Sequence, residues 1–339
     1  MSRVGRRVLQ AVLLGIGLTV AGYVAWQWIR VLQFYLGPSE ASLSETGFDW
    51  DAAQNGQLPN TYPFAPSYPF WSDGARKDRY IHIPPGTRID TTEPDRWNFP
   101  EGTRIWKVFE RDGVLVETRM LYKHGPEPWA WDMAVYQPDG ETGASRKLAL
   151  AKENVSGTAH DIPAPSDCVT CHSSGEQRRP LGVTAIQLPW SNQDSLSIQD
   201  LTGMDLLTNS PDRPFDIPGD DLTRAALGYL HSNCGSCHYE GSTFVTDKVP
   251  LFMNLTAGTL ADVQATEVYR TAIGHEPHLP GLGTEVYINP GAPDDSFAWR
   301  RMSIRDDGGW QMPPLATEVV DREGVALIEQ WILGLEDPD

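Results

Sequence analysis

Two copies of one five-residue pattern constrain this chain more than any other feature. Residues 168–172 read Cys-Val-Thr-Cys-His and residues 234–238 read Cys-Gly-Ser-Cys-His, and the two copies contain all 4 cysteines of the sequence. Two cysteines three apart, followed at once by a histidine, share one side of a helical turn, so two thiols and an imidazole converge. That arrangement is required for c-type haem attachment, in which the thiols form thioethers and the histidine ligates iron.

The sequence therefore predicts two covalently attached haem c groups. The thioether-forming residues are Cys168, Cys171, Cys234 and Cys237, and the proximal iron ligands are His172 and His238. Paired CxxC units also form tetrahedral zinc sites, but the pairs of such sites usually lie about 15–20 residues apart. Here residues 173–233 separate the two motifs, and a histidine follows each pair. Zinc or two redox-active dithiols are the less favoured alternatives.

The N-terminus has the pattern of an export signal. Arg3, Arg6 and Arg7 precede residues 8–29, which carry no charge. At about 1.5 Å per residue a helix over this run reaches roughly 33 Å, enough to cross a bilayer. We expect residues 1–35 to be a membrane anchor or signal segment, with an uncleaved anchor favoured over a cleavable signal. The chain would then lie in the periplasm, tethered to the inner membrane by this N-terminal helix.

The composition is acidic, with 27 Lys and Arg against 45 Asp and Glu and a net charge of -18. Such a surface repels nucleic acid, which excludes nucleic acid as a partner. The expected partners are other redox proteins or a membrane redox complex.

Residues 79–151 carry the pattern of β-strands. Residues 36–75, which precede them, are rich in proline and predict an extended lead-in. Asp112-Gly113 predicts a tight hairpin. In the strand after it, Thr118 and Met120 share one face, whereas Glu117 and Arg119 point the other way. Together these features predict an antiparallel meander that closes as a small sandwich. The predicted strands are residues 80–83, 103–110, 114–123, 130–136 and 146–151.

Two amphipathic runs predict helices in the C-terminal part. Asp220-Asp221 precedes the run over residues 222–230, which leads into the second motif, and Asp321 precedes the run over residues 323–335. Helices before a motif and at the C-terminus are the layout of a cytochrome c domain. The predicted fold class is α+β, with an N-terminal membrane helix, an antiparallel β-sandwich-like domain and a mainly helical cytochrome c-type haem part. The predicted segments are 1–35 (anchor or signal), 36–165 (β-rich domain), 166–217 (first haem segment) and 218–339 (second haem domain).

Short fragments along the chain resemble an exported bacterial family of dihaem c-type cytochromes with a β-rich N-terminal part. The fragments include Ser72-Asp73-Gly74-Ala75, Glu117-Thr118-Arg119, the first motif followed by Pro180-Leu181-Gly182, Asn233 with the second motif, Met312-Pro313, and residues 323–328. Each fragment is weakly specific, but their order is not. The resemblance implies haem and electron transfer, and it does not supply a reaction.

The sixth ligand of each iron decides whether its haem is closed or open to small molecules. For the second haem we expect Met312, which precedes the C-terminal helix, with Met302 as the next candidate. Met253, His275 and His278 are weaker. For the first haem Met204 is favoured, because it follows the motif at a plausible loop length. Its rivals are His231, His160, His124, Met120 and Met133.

The expected function is single-electron transfer between redox partners by a periplasmic dihaem c-type cytochrome. One alternative is a peroxidase-like haem enzyme with a five-coordinate first haem that the second haem supplies with electrons. Another is a docking or binding subunit of a membrane redox complex, in which the β-rich domain is the working part.

Overall fold

One antiparallel sheet of six strands forms the centre of the described chain, and strands consecutive in sequence are neighbours throughout. Asp112 and Gly113, with φ of 53° and 79°, join β3 to β4 in the predicted hairpin. The strands are β1 (Thr61–Pro63), β2 (Arg76–His82), β3 (Arg104–Arg111), β4 (Val114–Lys123), β5 (Trp131–Pro138) and β6 (Ser145–Lys147).

The computed structural model describes residues 39–140, 144–174, 177–242, 250–276, 286–305, 310–315 and 317–336. Glu40–Asp339 form one compact unit, and the predicted domain boundaries at residues 165 and 217 fall inside it.

The described helices are mostly short. Asp220 and Asp321 cap the two longest by accepting backbone hydrogen bonds from Thr223 and Gly324. The helices are α1 (Trp50–Gln54), α2 (Cys168–His172), α3 (Ile198–Gly203), α4 (Asp221–Asn233), α5 (Glu267–Thr271), α6 (Phe297–Ser303) and α7 (Arg322–Leu333). The short strands β7 (Ser173–Ser174) and β8 (Gln177–Arg178) pair with each other after α2.

The predicted fold class was wrong. Strands β1 to β6 form a single meander rather than a sandwich. The part after residue 165 is not mainly helical, because only α4 and α7 exceed ten residues among its described helices. The amphipathic runs that predicted these helices do not extend into the segments between them, where residues such as Pro290 and Pro293 stop helices. No helix of the described ranges is long and apolar enough to cross a membrane. The predicted anchor, residues 1–35, lies outside those ranges.

Both faces of the sheet are covered by other parts of the chain. On one face Phe48 stacks on Trp106, with ring centroids 4.9 Å apart. On the other face Ile81, Ile105 and Leu121 pack against residues 183–207. Burying each such side chain stabilises the fold by about 1.5–3 kcal/mol. A second core lies around α4 and α7, where Leu227, Leu230, Trp331 and Ile332 are buried.

The strand register brings charged residues together on the second of these faces. Arg79 on β2 lies opposite Lys107 on β3, which lies opposite Arg119 on β4. Residues directly opposite each other on antiparallel strands point to the same face. These cations therefore form a row beside Ile81, Ile105 and Leu121, on the face that other parts of the chain cover.

Candidate functional site

The first motif forms the single helical turn α2. A 3-10 turn, Pro165–Asp167, leads into it, and Asp167 accepts a hydrogen bond of 3.0 Å from the backbone N–H of Ala164. One turn places both thiols and the imidazole of the motif on one side, as the spacing predicted. Cys168, Cys171 and His172 line a cavity of about 150 Å³, together with side chains of the sheet.

The second motif forms a tight turn at the end of α4. The backbone N–H groups of Cys237 and His238 both donate to the carbonyl of Cys234, at 3.0 and 2.9 Å. Gly235 is required in this turn, because a Cβ there would lie 2.6 Å from the carbonyl oxygen of His231 and 2.8 Å from the Cα of Asn254. Gly235 and Ser236 border a second cavity of about 350 Å³.

Both motif histidines make the hydrogen bond that prepares an imidazole for a metal. His172 Nδ1 lies 2.9 Å from the carbonyl oxygen of Arg179, and His238 Nδ1 lies 3.3 Å from that of Leu251. A carbonyl only accepts, so each Nδ1 carries the proton and each Nε2 presents its lone pair. Burial lowers the pKa of His172 to about 4 and also lowers that of His238, so both imidazoles are neutral at pH 7.

His231, a predicted rival for the first haem, has the opposite tautomer. The backbone N–H of Leu255 donates to His231 Nδ1 at 2.9 Å, so the ring proton is on Nε2. Burial lowers the pKa of His231 to about 4. With one nitrogen occupied by a backbone donor and the other protonated, His231 is a poor iron ligand, although it lines the second cavity.

The two motifs, far apart in sequence, are in contact. Interaction between the Cys171 and Cys237 thiols raises the pKa of Cys171 above the usual thiol value and lowers that of Cys237 to about 7. The Cys237 thiol also lies 3.5 Å from the carbonyl oxygen of Thr170, and Tyr239 OH donates to the carbonyl of Ser173 at 3.1 Å.

The first cysteines of the motifs lie in different surroundings. Cys168 packs against the hydrophobic cluster beside the sheet, whereas Cys234 packs against the cluster around α4 and α7. The first thiols of the two motifs thus pack against two different hydrophobic clusters. This arrangement favours two neighbouring centres over one four-thiolate zinc site.

The candidates for the sixth ligand of the second haem differ in burial. Met312 is half-buried, and its backbone N–H donates to the carbonyl of Arg301 at 2.9 Å. Burial lowers the pKa of His238, the hydrogen bond to Leu251 raises it, and the charge of Arg301 lowers it further. Met302 and Met253 are buried in the hydrophobic core. His275 is exposed, and His278 lies outside the described residues.

The candidates for the first haem are also spread over the structure. Met133 lies on the sheet face of Leu121 and lines the first cavity with the motif, whereas the Met120 side chain packs with Trp106 on the opposite face. Met204 is 40 % exposed and borders a surface depression with Asn192 and Gln199, so the structure does not bring it to either motif. His124 is exposed beside Asp132, at 3.7 Å.

A buried ion-pair network beside the first motif was not found from the sequence. Arg119 donates to Glu117 at 2.9 and 2.5 Å, and the His160 Nε2–H donates to the same carboxylate at 2.8 Å. Burial alone would raise the pKa of Glu117, but the charge of Arg119 and these hydrogen bonds lower it. The sequence indicates His160 only as a candidate iron ligand. The alternation of residues along β4 places Glu117 and Arg119 on one face, but it does not indicate that His160 joins them.

The segment Trp71-Ser72-Asp73 also contributes to the wall of the first cavity, by joining distant parts of the chain. The Trp71 N–H donates to Asn233 Oδ1 at 2.7 Å, and the Val319 N–H donates to Asp73 Oδ1 at 2.8 Å. Asp73 has a positive φ of 50°, which its short polar side chain tolerates. This segment therefore ties α4 and the residues before α7 to the sheet.

Among the residues described, no group of three or more His, Cys, Asp or Glu side chains is arranged to hold a metal ion. A haem iron takes only one or two protein ligands, so its binding does not require such a group. Comparisons of the chain with protein-family models, with curated proteins and with solved structures gave no match.

Proposed function

We propose that this protein is an exported dihaem c-type cytochrome that transfers single electrons between redox partners. The observation that carries the proposal is the pair of hydrogen bonds from His172 Nδ1 and His238 Nδ1 to backbone carbonyls. Each bond leaves Nε2 free beside two thiols, which is the donor set of a c-type haem. The basic and apolar N-terminal sequence supports export.

The residues of the chain would divide the work of holding the cofactors. Cys168 and Cys171 would hold one haem and Cys234 and Cys237 the other, while the two histidines would ligate the irons. When bound, each haem supplies a one-electron iron couple. The hydrogen bonds from Nδ1 orient the imidazoles and raise their basicity as ligands.

Contact between the motifs supports an electron-transfer role over two independent sites. Tyr239 and Cys237, from the second motif and its flank, reach the backbone of the first motif. Arg179 adds to this connection, because its carbonyl holds His172 and its guanidinium lies 5.3 Å from the centroid of the Tyr239 ring. Cofactors held by such connected segments would belong to one rigid unit.

The decisive measurement is the covalent haem content of the purified protein, determined as the pyridine haemochrome. We expect two haems per chain in the wild type and one in the double variant Cys168→Ala/Cys171→Ala. A matched control, Ser166→Ala, changes an exposed residue just before the motif and should retain two. Fewer than two haems in the wild type would contradict the proposal.

A catalytic first haem is the second candidate, because the first cavity is open and the Arg119–Glu117–His160 network adjoins it. Polar groups beside an open iron position are what ligand activation requires. Carbon monoxide added to the reduced protein distinguishes the roles: no binding supports the carrier, and binding by one haem supports the enzyme. Met312→Ala should open the second haem to carbon monoxide, whereas the exposed Met204→Ala should leave that haem unchanged.

A further inference from the structure

Three cations lie in a row on the sheet face that carries Ile81, Ile105 and Leu121. Arg119 is paired with Glu117, whereas the other two have no carboxylate partner within the described ranges. Arg79, Lys107 and Arg119 lie directly opposite one another on three adjacent strands. Like charges at such positions destabilise a sheet. Lys77, two residues before Arg79 on the same strand, adds a fourth cation to this face.

The acidic groups described nearby do not pair with Arg79 or Lys107. Glu117 is occupied by Arg119 and His160. Asp73 accepts a hydrogen bond from the Val319 backbone through Oδ1, while its buried Oδ2 has no hydrogen-bond partner in the described part of the chain. Among the described residues no carboxylate oxygen lies within 4 Å of the charged nitrogens of Arg79 or Lys107. Cations that lose solvent without gaining a partner are costly.

The contacts of these cations are with backbone and aromatic groups. Lys77 Nζ donates to the carbonyl of Phe70 at 2.5 Å, and Arg79 donates to the carbonyl of Lys77 at 3.3 Å. Lys107 Nζ lies 5.1 Å from the ring centroid of Phe109 and 5.8 Å from that of Phe70. Burial and the neighbouring cations lower the pKa of Lys77 to about 7 and that of Lys107 well below its usual value.

The row begins at the first motif and leads away from it. Arg79, Lys107 and Arg119 all line the cavity that contains the first motif. The charge of Arg119 acts on the thiols of Cys168 and Cys171, and that of Lys107 acts on His172. Arg79 lies two strands away from Arg119, at the other end of the row.

We propose that Lys107 and Arg79 bind the propionate carboxylates of the haem attached to the first motif. A haem joined to cysteines through its vinyl groups carries two propionates on the edge away from those bonds. Arg and Lys are the preferred partners of carboxylates, and an anion between opposed cations removes the repulsion along the row. This inference rests on the proposed function and adds two cofactor-binding residues.

The test uses the haem-loaded full chain and the variant Lys107→Gln. Spectroelectrochemical titration measures the midpoint potential of each haem. Loss of a positive charge beside a propionate favours the ferric state, so one of the two potentials should fall. A tenfold change in the reduction equilibrium corresponds to about 59 mV for one electron. Lys107→Arg should restore the potential, and Lys152→Gln, an exposed cation bonded to Gln137, is the matched control.

A crystal structure of the wild type provides a second measurement that does not depend on the folding of any variant. Propionate oxygens within hydrogen-bond distance of Lys107 or Arg79 would support the inference, and propionates in solvent would overturn it. Two attached haems whose potentials are the same in Lys107→Gln and in Lys152→Gln would also overturn it.

Two other results have separate meanings. Saturable binding of sulfate to the wild type, lost in Lys107→Gln, would assign the row to an external anion and overturn the inference. A wild-type chain with fewer than two haems would instead remove the proposed function on which the inference rests.

Discussion

Substitution of Glu117 by Gln should destabilise the protein more than any exposed charge substitution on the same sheet. Glu117 has no exposed surface and is held by Arg119 and by His160 at 2.8 Å. Gln keeps the shape but leaves Arg119 without a carboxylate, next to Lys107 on the adjacent strand. Removing one partner of a buried ion pair costs about 3–5 kcal/mol. That loss is a large part of the roughly 5–15 kcal/mol by which folded domains are usually stable.

Urea unfolding of the haem-loaded protein at pH 7, followed by circular dichroism, measures this loss. The matched control is Glu110→Gln on β3. It removes a carboxylate partner of the exposed Arg76 on β2 and should cause no measurable change. The double variant Glu117→Gln/Arg119→Met should recover part of the loss, since it no longer contains the unpaired cation. A Glu117→Gln protein as stable as Glu110→Gln would refute the reasoning.

The pH dependence of the same pair has a defined sign. The pKa of Glu117 is lower in the folded chain than its ordinary value of 4.5. Its contribution to the free energy of unfolding is therefore fully present above about pH 4.5 and lost as the pH falls through the lowered folded pKa. The wild-type protein should lose stability over that acid range, whereas Glu117→Gln should lose less.

Two further predictions follow from contacts between distant segments. In the haem-free chain, a mild oxidant should join Cys171 to Cys237, because the Cys237 thiol lies 3.5 Å from the carbonyl oxygen of Thr170, the residue before Cys171; peptide mapping that finds only disulfides within each motif would contradict this. Gly228→Ala should destabilise the fold by about 1–3 kcal/mol, since a Cβ would lie 2.1 Å from the Tyr68 ring. Gly203→Ala is the control, because nothing lies within 4 Å of its added Cβ. Thermal unfolding compares the two, and equal melting temperatures would count against this packing argument.

Local features of the structure could be predicted from the sequence because their causes are local. Asp112 and Gly113 adopt the positive φ that a two-residue hairpin requires. Asp220 and Asp321 accept hydrogen bonds from the first turns of the helices that follow them. Such turn and cap chemistry depends on a few adjacent residues, so one sequence suffices to find it.

The arrangement of the site could not be predicted, because it depends on register and on which surfaces meet. Alternation along β4 correctly placed Glu117 and Arg119 on one face, but it did not indicate that this face is covered by other parts of the chain. Nothing in the spacing of the motifs indicated that Cys237 lies against the backbone of the first motif. The prediction of a mainly helical part after residue 165 was wrong for a related reason. It extended two helical runs over the segments between them, and those segments are stabilised by packing rather than by helix propensity.

The loop after residue 310 has a consequence for biogenesis. Three residues of this loop, Pro313, Leu315 and Thr317, form part of the wall of the first cavity. They lie far from the first motif, residues 168–172, in the sequence. A loop that is synthesised well after the first motif thus helps to enclose the first pair of thiols. If these thiols carry the proposed haem, the machinery that forms the thioether bonds would reach Cys168 and Cys171 most easily before this loop docks. Under that proposal, attachment would precede docking, and the loop would close over a cofactor already in place.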